Sequence, residues 1–372
     1  MTVPGFLVEP DDRRWASALA NSPHDVYDTR AYVLAEAQRI GAEAVGFLVV
    51  DDDRVFLLPL LIRADDDVTG LGGQSMRDAI SPYGYPGIVM SDTARMATGF
   101  ADACVARLLE VLRSRAVCTV FVRLHPLLNA DIRTQLHRYP VVENGVTVSI
   151  DLLQSEARIW AVMSKGHKSA IHKAQRAGFS VEIGAPRDHF ADFAAVYAET
   201  LQRLRANVTY DFGPDNLRRL AELENAHVAI ALLDSHVAGA YLFFERDGIV
   251  QMHLGGTRSV YMRRSSPSNL LIHEIALWAK ARNNTVLHLG GGLGGSADDG
   301  LFMFKAGFSP RRHVFRTLRL VADDVRYEEL VRSRAEVLAV RPQDLLQSPF
   351  FPAYRADAEA IAKTHVDEGD LL

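Results

Sequence analysis

The chain has 372 residues, of which 48% are apolar and 23% charged, and its formal net charge is −5. The length exceeds what one hydrophobic core usually supports, so two domains are expected, and the acidic balance argues against a dedicated basic groove for nucleic acid. Cys104 and Cys118 are too few for a disulfide framework or a zinc cluster.

The first half of the chain predicts a helix, a hairpin, and a second helix and strand. A helical pattern over 31–40 leads into apolar runs over 45–50 and 55–62, which an acidic turn separates, and this arrangement is typical of a β-hairpin. Thr93 is expected to cap a helix that extends to Leu112 and includes Cys104. A strand over 118–124 follows.

The second half repeats this order of elements. Its helical patterns and apolar runs are, in chain order, helices over 156–176 and 189–205, strands over 228–233, 237–244 and 249–254, a helix over 268–281 and a strand over 286–289. The turns at Asp234-Ser235 and Arg246-Asp247-Gly248 suit an antiparallel meander. The final segment predicts a strand from Val314, a helix over 327–338 and an apolar tail over 345–354.

Helices, a meander, and then helix and strand indicate an α+β fold, and the repetition indicates a duplicated domain. We expect a first domain over 1–150, a second over 151–315, and a C-terminal segment, 316–372, that packs back on the first domain. The N-terminal residues lack the layout of a signal peptide, and no apolar run is long enough to span a bilayer. A cytoplasmic protein without membrane insertion is therefore expected.

The most informative stretch is 288–308, where glycines follow a short strand and Lys305 lies between aromatic residues. The chain has six lysines against 35 arginines, so a lysine here indicates chemistry that a guanidinium cannot do, because an ammonium is a compact charge that burial can retune. Gly291 and Gly292 would let a substrate approach the backbone. Asp298 and Asp299 are expected to cap the next helix. The alternative for Lys305 is a surface lysine whose ammonium reaches water.

A basic cluster marks the helix over 156–176 in this otherwise acidic protein. Its members are Lys165, His167, Lys168, His172, Lys173 and Arg176. Spacings of three and four place Lys165, Lys168, His172 and Arg176 on one helix face. This face would either bind the phosphates of a tRNA acceptor end, a nucleotide or a CoA moiety, or be solvated surface. The acetyltransferase turn Q/R-x-x-G-x-G/A for CoA pyrophosphate has no good match, which disfavours acetyl-CoA without excluding it. His253 and His288 belong to no metal-spaced cluster, so no metal site is predicted.

Motifs along nearly the whole chain resemble the FemAB-like superfamily. They include DAISPYGYPG from Asp78, FVRLHP from Phe121, HKSAIHKAQRAGFSVE from His167, YAETLQRLRANVTYDF from Tyr197, SPSNLLIHEIALWAK from Ser266, and LGGG with LFMFKAGF. The resemblance implies two tandem GNAT-like domains, each a mainly antiparallel sheet flanked by helices. The best-known members transfer amino acids from aminoacyl-tRNA to peptidoglycan precursors.

The resemblance also implies roles for particular residues. Lys305, with Phe304 beside it, would form the reaction centre in the second domain and stabilise a tetrahedral oxyanion. The residues expected to bind substrate are Asp78, Tyr83, Tyr85, Arg203, Tyr210, Asn269, Gly291 and Gly292. For the segment with Tyr83 and Tyr85, a rigid turn with two packed tyrosines is an equal alternative.

The sequence thus predicts an aminoacyltransferase that joins an aminoacyl group to an amine of a cell-envelope precursor or a small natural product. The expected donor is aminoacyl-tRNA, bound by its acceptor end, with no tightly bound cofactor. An N-acyltransferase that uses acyl-CoA is the first alternative, and a non-catalytic ligand-binding scaffold, in which Lys305 is dispensable, is the second. The sequence leaves open the amino acid, the acceptor, any general base and the oligomeric state.

Overall fold

The computed structural model describes residues 3–64, 77–204, 212–265, 267–292 and 299–357. Its strands are β1 (Gly5–Val8), β2 (Glu43–Asp51), β3 (Arg54–Ala64), β4 (Arg77–Ile80), β5 (Val89–Met90), β6 (Val117–Leu124), β7 (Val141–Asp151), β8 (Ser180–Gly184), β9 (Ala226–Leu233), β10 (His236–Arg246), β11 (Ile249–Thr257), β12 (Val286–Gly290) and β13 (Arg312–Val321). Its helices are α1 (Arg13–Ala20), α2 (Arg30–Ile40), α3 (Asp92–Met96), α4 (Phe100–Ser114), α5 (Glu156–Val162), α6 (Lys165–Arg176), α7 (Pro186–Leu204), α8 (Gly213–Ala221), α9 (Ser259–Ser265), α10 (Ser268–Ala281), α11 (Gly300–Ala306), α12 (Asp324–Leu338) and α13 (Pro342–Gln347).

The described residues form two compact units. Unit 1 contains the residues up to 23, those from 40 to 143 and those from 316 to 357, whereas unit 2 contains residues 24–39 and 144–315. Residues 24–39, which the sequence analysis placed in the first domain, group with unit 2 because their aromatic side chains pack there. Tyr27 and Tyr32 both contact Phe244, and the Tyr27 hydroxyl lies 3.2 Å from Nδ1 of His253.

Unit 1 is built on a sheet with the strand order β1-β2-β3-β4-β6-β13. All these neighbours pair antiparallel except β4 and β6, which are parallel. Helix α4 connects that parallel pair and buries Phe100, Cys104, Leu108 and Leu112 completely against the sheet. Their spacing of four residues places one apolar stripe of the helix on the core. Burial raises the pKa of the Cys104 thiol far above its usual range, which suits a packing role.

Unit 2 repeats the same pairing pattern in the order β8-β9-β10-β11-β12-β7, with β11 and β12 as its parallel pair. The predicted meander over β9, β10 and β11 is confirmed. Both of its turns place two successive residues at positive φ, Asp234 and Ser235 in one and Asp247 and Gly248 in the other. Such turns match the twist of the strands they join. The α+β class is confirmed in both units.

Two predicted helices are interrupted. Ser91, rather than Thr93, caps α3, and Gly99 then adopts a left-handed φ of 75° before α4 begins. The helical pattern over 156–176 also divides, because the Ser164 side chain caps a new helix by accepting a hydrogen bond from the His167 amide. Strand β8 and helix α8 had no counterpart in the sequence analysis.

The described ranges contain neither a membrane-spanning helix nor a cluster of metal-ligating side chains. No helix within them is long and apolar enough to cross a bilayer. Within the same ranges, no group of three or more histidine, cysteine, aspartate or glutamate side chains is arranged to hold a metal ion.

Candidate active site

Lys305 lies on α11 and reaches back to the end of β12. Its Nζ donates a hydrogen bond of 2.7 Å to the carbonyl oxygen of Gly291. Gly290, the last residue of β12, has a φ of 76°, which only glycine adopts readily and which turns the chain out of the strand. An ammonium has three N–H donors, so the lysine can hold this carbonyl and still donate to a second oxygen nearby.

The charge of Lys305 is only weakly favoured at this position. Burial lowers its pKa from an ordinary value of 10.5 to about 8, while the carboxylate of Asp299 acts in the opposite direction. At pH 7 the ammonium is therefore still the main form, but the side chain loses its proton more readily than an ordinary lysine does. A lysine tuned in this way can both donate to a developing negative charge and exchange a proton near neutral pH.

Asp299 closes the glycine-rich segment that precedes α11. Its Oδ1 accepts a hydrogen bond of 2.8 Å from the amide of Phe302, which confirms the predicted helix cap. A Cβ atom added to Gly292 would overlap the Asp299 carboxylate, so only glycine allows this approach. Asp298, the other predicted cap, lies outside the described residues.

His167 on α6, which the sequence analysis counted only among the basic residues, fixes the position of α11. Its Nε2 lies 2.7 Å from the carbonyl oxygen of Phe304, and its Nδ1 lies 2.9 Å from the Ser164 hydroxyl. Burial lowers the pKa of His167, so the neutral ring donates from Nε2, since a carbonyl can only accept. A Cβ at Gly307 would overlap this ring. The signal in the sequence was the serine three residues before the histidine, a helix cap.

Phe304, predicted beside Lys305 at the reaction centre, contributes packing and a backbone carbonyl. Its ring lies 5.5 Å from the His167 ring and 5.4 Å, edge to face, from Phe308. A phenyl ring has no proton to exchange and no lone pair to donate. We therefore assign Phe304 to the positioning of α11 and Lys305 rather than to the chemical step.

The predicted basic cluster lies along α6. Lys165, His172, Lys173 and Arg176 are exposed, whereas Lys168 is partly buried and its Nζ donates to the carbonyl of Ala161 at 3.1 Å. These side chains flank the buried face of α6 that carries Ile171 and Ala174. Helix α6 carries this basic face, and its His167 also forms a hydrogen bond with Phe304 on α11. The basic face and Lys305 therefore lie on two helices that contact each other.

Arg203 and Asn269 lie where β11 ends. Arg203 on α7 donates to the carbonyl of Thr257 at 2.9 Å, and the Thr257 hydroxyl is 2.6 Å from the hydroxyl of Ser268 at the start of α10. Asn269, next along α10, is buried. These contacts join the end of β11 to the two helices around it.

Strands β11 and β12 pair only over their first residues. The described pairs run from Ile249 with Val286 to Gln251 with His288. His288 ties this last pair together, since its Nδ1 is 2.8 Å from the Gln251 side chain and its Nε2 is 2.9 Å from the Thr147 hydroxyl. Beyond it, the two strands continue to Thr257 and Gly290 without a described pairing between them. The first backbone carbonyl beyond it, that of Met252, accepts a hydrogen bond of 3.1 Å from the Gln251 side chain.

The remaining predicted site residues are Asp78, Tyr83, Tyr85 and Tyr210. Asp78 is buried in β4 of unit 1, where its carboxylate pairs with Arg63 at 2.7 Å and with Arg355. These partners make Asp78 a structural residue, so we reassign it from substrate binding. Tyr83 and Tyr85 are partly buried in the loop after β4. Tyr210 lies outside the described residues.

Comparisons with known proteins agree with this architecture. A family model described as an acetyltransferase (GNAT) domain matches residues 163–298. FemX has a similar structure, with a TM-score of 0.65 at 11% identity over 88% of this chain and 99% of that one. The C-terminal domain of a putative lysylphosphatidylglycerol synthetase from Agrobacterium fabrum has a TM-score of 0.52 at 12% identity, over 85% of this chain and 93% of its own.

A third similar structure is L-PGS from Bacillus licheniformis, with a TM-score of 0.52 at 13% identity over 83% of this chain and 92% of that one. A search of the curated proteins finds no match to the sequence. Residues 163–298 thus match a GNAT domain, and the chain shares its fold with FemX.

Proposed function

We propose that this protein is an aminoacyltransferase of the FemAB-like GNAT superfamily, and that it forms an amide between an aminoacyl group and a substrate amine. The observation that carries the proposal is Lys305, whose ammonium has a pKa lowered to about 8 and is anchored to the Gly291 carbonyl beside a glycine-rich segment. A donor preorganised in this way suits a reaction in which negative charge develops on one oxygen.

In the proposed step, the neutral amine attacks the carbonyl carbon of an aminoacyl ester on the ribose of a tRNA acceptor end. The C–N bond forms while the carbonyl electron pair moves onto oxygen, and Lys305 stabilises the resulting oxyanion. When the carbonyl forms again, the C–O bond to the ribose breaks. The ribose oxygen takes the proton that the amine loses, so an ester and an amine become an amide and a hydroxyl.

We assign the binding of the reactants to the residues around Lys305. Gly291 and Gly292 let the backbone approach the acyl group, while Arg203 and Asn269 border the end of β11. The exposed basic face of α6 would bind donor phosphates through Lys165, Lys168, His172, Lys173 and Arg176, and such contacts are sensitive to salt.

The acceptor in this proposal is an amine of a cell-envelope precursor or a small natural product. The fold shared with FemX and with the putative lysylphosphatidylglycerol synthetase supports aminoacyl transfer in general. It does not distinguish between acceptors. An acyl-CoA-dependent N-acyltransferase is the second candidate, which the acetyltransferase description of the family model favours.

One experiment separates these candidates. The protein is incubated with an amine-containing extract of its own organism and either a mixed pool of charged tRNAs or acetyl-CoA, and new amides are sought by mass spectrometry. We expect a product only with charged tRNA, and no product from Lys305→Ala. A product only with acetyl-CoA would establish the second candidate, and no product with either donor would favour a ligand-binding scaffold.

A further inference from the structure

The backbone of the sheet holds the end of β12 incompletely. On the β11 side, the last described pair is Gln251 with His288. On the β7 side, the register shifts between His288 and Gly290, so that Leu289 is an extra residue, a β-bulge. A bulge disrupts the ladder locally and bends its strand. Backbone pairing alone therefore does not fix the direction in which the chain leaves β12.

The side chain of His288 connects β12 to both neighbouring strands at this bulge. Its ring is completely buried, with Nδ1 2.8 Å from Oε1 of Gln251 on β11 and Nε2 2.9 Å from the hydroxyl of Thr147 on β7. The side-chain nitrogen of Gln251 donates to the carbonyl of Met252, so its oxygen accepts from Nδ1–H. In the neutral ring, Nε2 then accepts from the Thr147 hydroxyl. These three side chains, Gln251, His288 and Thr147, form the His288 bridge.

The His288 bridge lies close in the chain to the anchor of Lys305. Gly291 follows His288 by three positions, and its carbonyl oxygen accepts the hydrogen bond of 2.7 Å from Nζ of Lys305. Gly290 between them has a φ of 76°. A glycine has no Cβ and therefore restricts the backbone less than other residues do. The place of the Gly291 carbonyl thus depends on how firmly the end of β12 is held, and the His288 bridge holds it from both sides.

We propose that His288 is a positioning residue for Lys305. Its bridge fixes the carbonyl of Gly291, which in turn fixes the ammonium that donates to the oxyanion. The contribution to turnover depends on the proposed function, whereas the effect on the ammonium does not. If the carbonyl moves away, the buried ammonium loses an acceptor and its charged form becomes less stable. The carboxylate of Asp299, whose charge also acts on Lys305, is not part of the bridge.

Two hydroxyls on β7 provide a matched pair of variants. Thr147→Val removes the hydroxyl that donates to His288. Ser149→Ala removes another buried hydroxyl of the same strand, which lies 2.7 Å from Nε2 of His313. Each variant loses one buried hydrogen bond, so we expect similar destabilisation, but only Thr147→Val breaks the bridge. Gln251→Met breaks the bridge from the β11 side and gives a second, independent variant.

The first measurement is the titration of Lys305 in the full chain without substrate. The chain has six lysines, so NMR of isotope-labelled lysine can resolve each side chain, and Lys305→Met identifies the signal of Lys305. We expect Thr147→Val and Gln251→Met to lower the pKa of Lys305, which raises its acid dissociation constant about threefold to tenfold. Ser149→Ala should leave it unchanged. An unchanged titration of Lys305 in both folded bridge variants would overturn the proposal.

The second measurement is the single-turnover rate with charged tRNA at saturating donor. Thr147→Val should lower this rate about tenfold with little change in donor affinity, while Ser149→Ala should keep it. Thr147→Ser retains the hydroxyl and should restore both the rate and the titration. A loss of rate that is equal in Thr147→Val and Ser149→Ala would contradict a positioning role. If the natural protein forms no product, the proposed function fails, and the titration alone decides whether the bridge positions Lys305.

Discussion

Replacing Lys305 by methionine separates its catalytic role from its effect on stability. The pKa of Lys305 falls from 10.5 to about 8 in the folded protein, which corresponds to about 3 kcal/mol against the charged form. Because the folded pKa is the lower one, this cost is fully present below pH 8 and disappears as the pH rises to about 10.5. The bond to Gly291 offsets about 1.5 to 3 kcal/mol of it.

We therefore expect Lys305→Met to be at least as stable as the natural protein at pH 7, by up to about 1.5 kcal/mol, with the difference vanishing near pH 10. Turnover should behave in the opposite way. Loss of one donor to an oxyanion lowers kcat and kcat/KM together by about a hundredfold or more. Lys305→Ala and Lys305→Arg should show the same loss, since a planar guanidinium cannot take the position of an ammonium.

The assays are urea unfolding at several pH values and single-turnover rates at saturating donor. If the ammonium is the active form, the rate should fall about tenfold per pH unit above pH 8, and this decline should be absent from Lys305→Met. A rate that instead rises through pH 8 would make Lys305 a base. Near-normal chemistry in any folded Lys305 variant would remove it from the mechanism.

Three other predictions concern the donor surface, the glycine-rich segment and unit 1. Reversing the charge at Lys168 and Lys173 should raise the Kd for charged tRNA with little change in kcat. The loss of affinity should become smaller as the salt concentration rises from about 50 to 200 mM. A loss of affinity that does not depend on salt would contradict phosphate binding. Gly292→Ala should lower kcat, because the added Cβ would overlap the carboxylate of Asp299, which caps α11. Gly300→Ala is the control and should leave kcat unchanged, since a Cβ there meets nothing within 4 Å. Equal kcat values for the two variants would refute this prediction. Asp78→Ala should cost about 3 to 5 kcal/mol in urea unfolding by leaving buried arginine charge uncompensated; a loss of donor binding without destabilisation would restore its predicted substrate role.

The sequence predicted correctly those elements that depend on interactions between residues close together in the chain. The meander in unit 2 follows from alternating apolar runs and from turn residues, such as Asp247 and Gly248, that tolerate positive φ. The cap at Asp299 follows in the same way from a short acidic side chain before a helix. Lys305 was chosen as a candidate from composition, from its position after a glycine-rich segment and from the family resemblance, and its catalytic role stays a prediction.

Contacts between distant residues were not predictable, because they leave no periodic signal. The Asp78 carboxylate meets Arg355, which lies 277 positions later, and this partner changes its interpretation. His167 reaches Phe304 across 137 positions. The grouping of residues 24–39 with unit 2 depends on Tyr27 and Tyr32 packing against Phe244, and nothing near these tyrosines in the chain indicates that partner.

The order of strands along the chain imposes a delay on the synthesis of the folded protein. Strand β6 ends at Leu124, and its neighbour β13 first pairs with it at Arg316. At roughly 5 to 20 residues per second, a ribosome needs about 10 to 40 s to make the chain between them. During that interval β6 is an open sheet edge, which can recruit other chains. A nascent or truncated chain that stops before β13 is therefore exposed to aggregation, even when unit 2 is already complete.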